Sequence, residues 1–536
     1  MAALRAKWLA ENRLFWAIFA VLAVFSFATV VGNPIGPGQD YNFHLFSASI
    51  AARGWAHDAA VNALYRQVNP TDCNTLLYAV VFPFGLLFGP VHGFSVAFGL
   101  FYFVGYPVAC AAALRIMRRP LWGALLAFPL CWLRSYNYGG FMPFVFAVPW
   151  FVLALALFHR AMTDATEIGI VTPSARRRRR GMIASALACA VVFLAHLHVS
   201  GWLLVVLACV TLWTMGQGLV TAAPFAPLAA LRGATVTGLR ALVLVVPTLL
   251  LATSWWFRRA HAAGAVAPTA TRPSIGTWQQ NFEYAFQSLF HINDDAEYMW
   301  VAALFMVVLM GMLLSARSRE RLPTPEIAIL ATAASCFILP YEVNGQGMGA
   351  RQIDLTQWLL PLVVIARVPD RARGRYALAI GAIIVFAFGR TAYFAKHMRM
   401  FQTEVAGMLD MAKPCPVSTG ELAYVTYGRR AAHWRSDSLH QSHETLAAMC
   451  KIDTPVYDTL VYPYSLQPVR YLGALPAPVT ILADDNPAWY AHPGLWKNFD
   501  VVLVRNWNPT PEQLREAEAV ATRTRVSGAW QLWRRK

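Results

Sequence analysis

The sequence predicts a mainly α fold, a polytopic transmembrane helical bundle, with a small α/β domain at the C-terminal end. Three observations predict it. Of 536 residues, 57% are hydrophobic and only 14% are charged, against roughly 25% charged in soluble globular chains, and mean hydropathy is +0.43. The apolar residues form long continuous runs, not the alternating segments of about ten residues that build membrane β-barrels. From residue 392 onward the composition turns polar and Pro- and Gly-punctuated, as in a water-facing domain.

The candidate spans are 14–32, 75–89, 94–116, 121–134, 142–161, 182–196, 199–216, 239–256, 299–315, 326–340, 355–367 and 376–391. Several are shorter than the about 20 residues of a straight crossing, and read as tilted, extended or re-entrant. Orientation follows from Lys and Arg in short loops, which stay in the cytoplasm. Arg5, Lys7 and Arg13 hold the N-terminus inside. Arg176–Arg180, Arg317 to Arg321 and Arg371 to Arg375 do the same for three loops. Residues 33–74, 257–298, 341–354 and 392–536 then lie outside, giving a multi-pass protein of the inner membrane. An outside tail requires an odd number of spans, 11 or 13, so one run between 75 and 140 fails to cross or one span is hidden. The weakest candidates are 75–89 and 121–134.

The net charge of +17 is explained by these loops, and no nucleic-acid partner follows from it. Anionic lipid is the other use for such charge. Cys110, Cys131, Cys189, Cys209 and Cys336 fall in apolar runs and read as small core residues. Cys415 and Cys450 lie in the tail, where an oxidising compartment permits a disulfide between them. Cys73 is left over in the first outer loop. No metal-ligand spacing, nucleotide-binding glycine loop or Gly-x-Ser-x-Gly elbow occurs. In the tail, Leu422–Thr426 and Val501–Val504 read as strands, 439–451 and 510–522 as helices, and 526–533 as a last strand. Thr510-Pro511-Glu512 is a helix start.

Asp40 closes a Gly-Pro-Gly-Gln turn just past the first span. A carboxylate there suits a general base that takes a proton from a hydroxyl, or a ligand for a divalent cation. Asp40 before Tyr41-Asn42-Phe43-His44 also reads as a helix N-cap, and both roles can hold at once. His44 lies one turn on, able to orient the carboxylate or a phosphate, or to sit at a headgroup boundary. Phe43–Ala52 reads as an amphipathic helix along the membrane interface. His196 and His198 form a His-x-His pair between two apolar runs. Imidazoles at that depth imply a cavity, and on one helix i and i+2 do not share a face. Arg258 and Arg259 follow Trp255-Trp256, an aromatic girdle signal. They suit a lipid phosphate or a headgroup. Glu342 and Arg351 bracket a loop with three glycines, and Arg351 suits bidentate phosphate contact or a salt bridge to Asp354 or Glu342. Arg134 to Gly140 is a polar break that can line the same cavity. His433, Asp437, His440, His443 and Glu444 read as a solvated face.

One span, an outer loop opening with Asp40 and His44 and running to Arg53-Gly54-Trp55, many further spans, and a small outer domain: this layout resembles the GT-C superfamily of integral-membrane glycosyltransferases. The resemblance implies a polyprenyl-phosphate-sugar donor among membrane lipids. It implies Asp40 as the base that activates an acceptor hydroxyl, inversion at the sugar, and basic residues such as Arg258 or Arg351 on the departing phosphate. The first loop lacks the acidic pair of several subfamilies, which leaves a divalent cofactor undecided. The competing reading is a transporter or flippase of a lipid-linked or anionic solute, which intramembrane His and Arg residues also suit.

Overall fold

The computed structural model describes residues 2–36, 41–59, 71–137, 141–163, 175–222, 226–262, 323–338, 346–363, 373–412, 501–505, 507–528 and 530–536, the strands 65–67, 342–343, 422–426 and 469–471, and positions 38, 62 and 139. The expected span 299–315, most of the loop 257–298, Cys415, Cys450, helix 439–451 and the His433–Glu444 cluster lie outside these residues.

Helix α1 (Ala2–Val31) turns Phe15, Phe19, Leu22 and Val30 inward and leaves Leu14, Trp16, Val21 and Val24 exposed. Large apolar side chains are likewise exposed on α8 (Ala175–Ala195), α9 (Leu197–Ala222), α10 (Pro227–Ala262) and α13 (Arg373–Ala412). Such a surface is unfavourable in water and at no cost in hydrocarbon. Among the described residues six helices are long and apolar enough to cross a bilayer: Arg13–Val31, Pro90–Ile116, Met142–Thr163, Leu197–Val220, Pro227–Arg258 and Ala377–Thr403. Helix α7 (Met142–Thr163), apolar on all sides, is buried at the centre, as such helices must be.

The region between 75 and 140 departs from a row of regular spans. Helix α3 (Leu76–Phe88) has 13 residues, about 20 Å at 1.5 Å per residue, and pairs with the start of α4 (Pro90–Ile116). It is too short for a 30 Å core. The run 121–134 is no regular helix. A 3-10 segment Leu121–Leu126 leads into single turns α5 (Ala127–Leu130) and α6 (Arg134–Asn137). This chain nonetheless climbs alongside α1. Trp122 packs on Phe15 at 5.5 Å and Phe128 on Phe19 at 5.1 Å, and Tyr136 reaches Tyr41 at 6.4 Å.

Irregular backbone is tolerated at membrane depth only inside protein, with its polar groups satisfied. Three side chains do this. Trp358 Nε1 donates to the Leu130 carbonyl at 2.9 Å, Tyr102 Oη to Cys131 at 3.0 Å, and an Arg390 amino group to Trp132 at 2.9 Å. Gly123 lets the segment approach the 3-10 turn Leu360–Leu362, since a Cβ there would stand 2.4 Å from the Pro361 oxygen. The buried Arg119 ties the same end, donating to the Leu362 carbonyl at 2.6 Å and to both oxygens of Glu326, in the first turn of α11 (Thr324–Ile338), at 2.7 and 2.8 Å.

Other expectations are corrected. Helix α2 (Tyr41–Trp55) forms where an amphipathic helix was expected, yet Leu45, Ser47, Ala48, Ser49 and Ile50 are all buried. It packs into the bundle against α3 and α4, so these faces meet protein. The glycine loop 341–354 is a two-residue-strand hairpin, Glu342–Val343 (β2) with Gln346–Gly347 (β3), that feeds α12 (Met348–Trp358). The change in composition at 392 falls inside α13, which continues to Ala412.

The tail builds a four-stranded sheet, β4 (Leu422–Thr426), β6 (Val501–Arg505), β8 (Trp530–Arg535) and β7 (Ala521–Ser527) in that order, with β4 and β6 parallel. The expected last strand, 526–533, instead straddles the turn of the β7–β8 hairpin. Helix α14 (Pro511–Val520) starts with a full capping box between Thr510 and Gln513, so its first amides are satisfied locally. Trp507, Trp533, Val502 and Val504 form a small core, while Trp530 and Leu532 join the main core and the hairpin rests on α13. A further link comes from β1 (Tyr65–Gln67), which pairs antiparallel with β5 (Val469–Tyr471), Tyr65 opposite Tyr471.

Candidate functional site

The site begins at the junction of α8 and α9. One helix would set His196 and His198 apart, but the helix breaks at His196. The break brings the two rings to 5.3 Å, edge to face. His196 caps α9, its Nδ1 accepting a long 3.5 Å bond from Val199 N, which leaves Nε2 to carry the proton of the neutral ring. His198 Nδ1 is buried and has no hydrogen-bond partner among the described residues.

The loop 71–75 holds this junction. Asn74 stands at φ 65° and its Oδ1 accepts from Leu197 N at 3.0 Å. Thr75 N donates to the Leu194 carbonyl at 3.0 Å. Asp72 pairs with Arg258 at 2.5 Å, and Ser254 accepts from Arg258 at 2.7 Å. Cys73 packs with Phe193 and Trp255. Arg258 therefore secures the loop beside the histidines. Arg259 is in α10, and its side chain lies outside the described residues.

His44 enters from the first turn of α2. It is buried, hydrogen-bonded to Tyr78 Oη at 2.7 Å. Burial holds the imidazole neutral, lowering its pKa to about 3, and the charge of Arg351 adds to the effect. Arg351, in the first turn of α12 and stacked 4.1 Å over Phe141, acts electrostatically on His44, His196 and His198 alike. Phe144 closes the wall, 5.3 Å from His196 and 5.6 Å from Trp358. Asp354, one turn past Arg351, is buried and accepts from Ser135 N at 2.8 Å, fixing the polar break at α6.

His44, the His196–His198 junction and Arg351 come from three stretches distant in sequence, linked by the charge of Arg351 acting on each imidazole. Asp40 itself lies outside the described residues. The described chain on either side of it is tightly built: Tyr41 covers Gly36, where a Cβ would fall 2.4 Å from the ring, and donates to the Pro34 carbonyl at 3.1 Å. Glu342 is on β2 opposite Gly347, and its side chain lies outside the described residues. Sequence reasoning missed Tyr78, hidden in an apolar run, and Asn74, whose one signal is an amide immediately before that run. Among the described residues no group of three His, Cys, Asp or Glu side chains is placed to hold a metal ion. Chemically, a guanidinium, imidazole N–H groups and the N-terminus of α9 are groups able to meet an anion.

No family model and no curated protein matches the chain. Among solved structures, ArnT from Cupriavidus metallidurans in the apo state aligns at TM-score 0.51 with 14% identity, covering 98% of this chain and 98% of that one. The same protein bound to undecaprenyl phosphate aligns at TM-score 0.51 with 13% identity, covering 97% and 98%. This chain is an integral membrane protein whose fold is shared with ArnT.

Proposed function

We propose that this chain is a glycosyltransferase that moves a sugar from a polyprenyl-phosphate donor to an acceptor hydroxyl on the outer side of the inner membrane, with 1–391 as the transferase core. In this reading Asp40 accepts the proton of the acceptor hydroxyl. The freed oxygen lone pair attacks the anomeric carbon as the bond from that carbon to the phosphate oxygen breaks, with inversion. The departing lipid phosphate takes the bonding electrons. Arg351 and the N–H groups of His196 and His198 meet that charge, and it is these contacts, stronger in the transition state than before it, that lower the barrier. His44, held by Tyr78, orients the Asp40 carboxylate. Arg258 acts at one remove, by clamping Asp72, and Glu342 borders the acceptor side.

One observation carries the reading. His44 stands four residues after Asp40, and the charge of Arg351 acts on it and on His196 and His198, whose rings lie 5.3 Å apart. Undecaprenyl phosphate in the related ArnT structure supports a lipid-phosphate ligand for such groups. The test is Asp40→Asn in membranes supplied with polyprenyl-phosphate sugars. The variant should insert and bind donor yet lose turnover by about 10³-fold or more, the usual scale for a lost base together with its oriented substrate. Undiminished sugar transfer would refute the assignment, and solute uptake by proteoliposomes without transfer would establish a transporter instead.

A further inference from the structure

A cavity lies apart from the histidine cluster, between the C-terminal part of α1 and the α13 stretch from Ala395 to Thr403. Its volume is about 450 Å³, far more than one water needs and within the range of ligand pockets. One end is apolar, formed by Phe25, Ala28 and Ala395, and the other is polar, formed by Asn33, Arg399 and Gln402. Along α1, eight residues separate Phe25 from Asn33, a rise of about 12 Å.

The polar end is built. Asn33 Nδ2 donates to the Thr29 carbonyl at 2.7 Å, Thr29 Oγ1 donates to the Phe25 carbonyl at 2.8 Å, and Thr403 Oγ1 donates to the Arg399 carbonyl at 3.0 Å. Gln402 Oε1 accepts from Ile35 N at 3.2 Å, which turns its amide nitrogen outward as a donor. Arg399 is exposed, and among the described residues no carboxylate pairs with it. Arg399 lies four residues before the end of the apolar stretch Ala377–Thr403, and an arginine at the end of a span has one abundant counter-charge within reach, the phosphate of a lipid. The amphipathic lining runs in the direction such a molecule would lie, chain toward Phe25 and phosphate toward Arg399.

We infer that this cavity binds a phosphate-bearing membrane lipid, with Arg399 and Gln402 on the phosphate and Phe25 and Ala28 along the first part of the chain. The site shares no residue with the His44–Arg351 cluster and stands whether or not that cluster transfers sugar. The phosphate can come from a phospholipid or from a prenyl phosphate.

Native mass spectrometry of the full-length protein in detergent tests this, with short-chain phosphatidylglycerol, a short-chain prenyl phosphate, diacylglycerol and inorganic phosphate as separate probes. The wild type should retain phosphatidylglycerol or prenyl phosphate, and whichever is held more tightly names the source. Arg399→Gln, at an exposed position, should lower the number of bound phosphate lipids by one and weaken that binding at least tenfold. Ala28→Trp, which fills the chain end, should do the same while leaving the melting temperature without lipid unchanged. Equal retention by wild type and Arg399→Gln overturns the proposal. So does retention of diacylglycerol equal to that of the phosphate lipids, or of inorganic phosphate in place of them.

Discussion

Asn74 offers the sharpest test of how the histidine pair is held. Its side chain satisfies the first amide of α9, through the 3.0 Å bond from Leu197, while its own backbone sits at φ 65°. The two contributions separate by substitution. Removing the acceptor leaves a helix-start amide without its partner, worth about 1 kcal/mol. Placing a Cβ-bearing residue without a compensating side-chain bond in the left-handed region adds about 1 kcal/mol. Asn74→Gly loses the first contribution alone and should cost about 1 kcal/mol, and Asn74→Ala loses both and should cost about 2 kcal/mol. Asn74→Asp keeps the acceptor and should stay within about 0.5 kcal/mol of the wild type. Equilibrium unfolding of the four proteins in mixed detergent micelles, titrated with SDS, gives the order. Glycine as damaging as alanine would refute the strain half of the reasoning, and an alanine variant indistinguishable from wild type would refute all of it.

Two further outcomes follow from the geometry. His44 is neutral when folded, with its pKa lowered to about 3 from an ordinary 6.5. The unfolded chain binds the proton first, so the stability conferred by the buried neutral ring is intact above about pH 6.5 and is lost progressively as pH falls toward 3, by at most about 4–5 kcal/mol at 1.36 kcal/mol per unit. His44→Gln should flatten that part of a pH–stability curve, and an unchanged acid limb would show that other groups set it. Gly123→Ala places a methyl group 2.4 Å from the Pro361 oxygen. The two segments must then part, at a cost of about 1–3 kcal/mol. The expected readout is an SDS midpoint lowered relative to Gly181→Ala, where a Cβ meets open space.

Hydropathy made the long helices legible because lipid imposes one rule on every exposed face of α1, α9, α10 and α13. The same rule concealed the segment 121–137. Its backbone is irregular, and what permits that is supplied by Tyr102, Trp358 and Arg390, none of them near it in sequence except Tyr102. A window of residues reads local composition and cannot see a carbonyl satisfied from 258 positions away. The buried face of α2 was illegible for a related reason: its serines look solvent-facing until their neighbours are known. Ser49 turns its hydroxyl back to the Leu45 carbonyl at 3.0 Å and so is buried without an unmet donor. At the site, the sequence singles out His44 by its spacing from Asp40, His196 and His198 as polar residues between apolar runs, and Arg351 by its place beside a glycine loop. Their convergence depends on a break at one residue and on a helix beginning at Met348, where sequence suggested a loop.

The pairing of β1 with β5 joins the segment after the first span to a strand synthesised about 400 residues later. At ribosomal rates of about 5–20 residues per second, that partner emerges tens of seconds after Tyr65–Gln67 has left the ribosome. Until then Tyr65–Gln67 is an open strand edge, and its closure belongs to the last stage of biogenesis, after the intervening helices have been inserted. A nascent chain halted before residue 469 would therefore display that edge to any protease or chaperone on the same side, giving the cell a simple mark of an unfinished molecule.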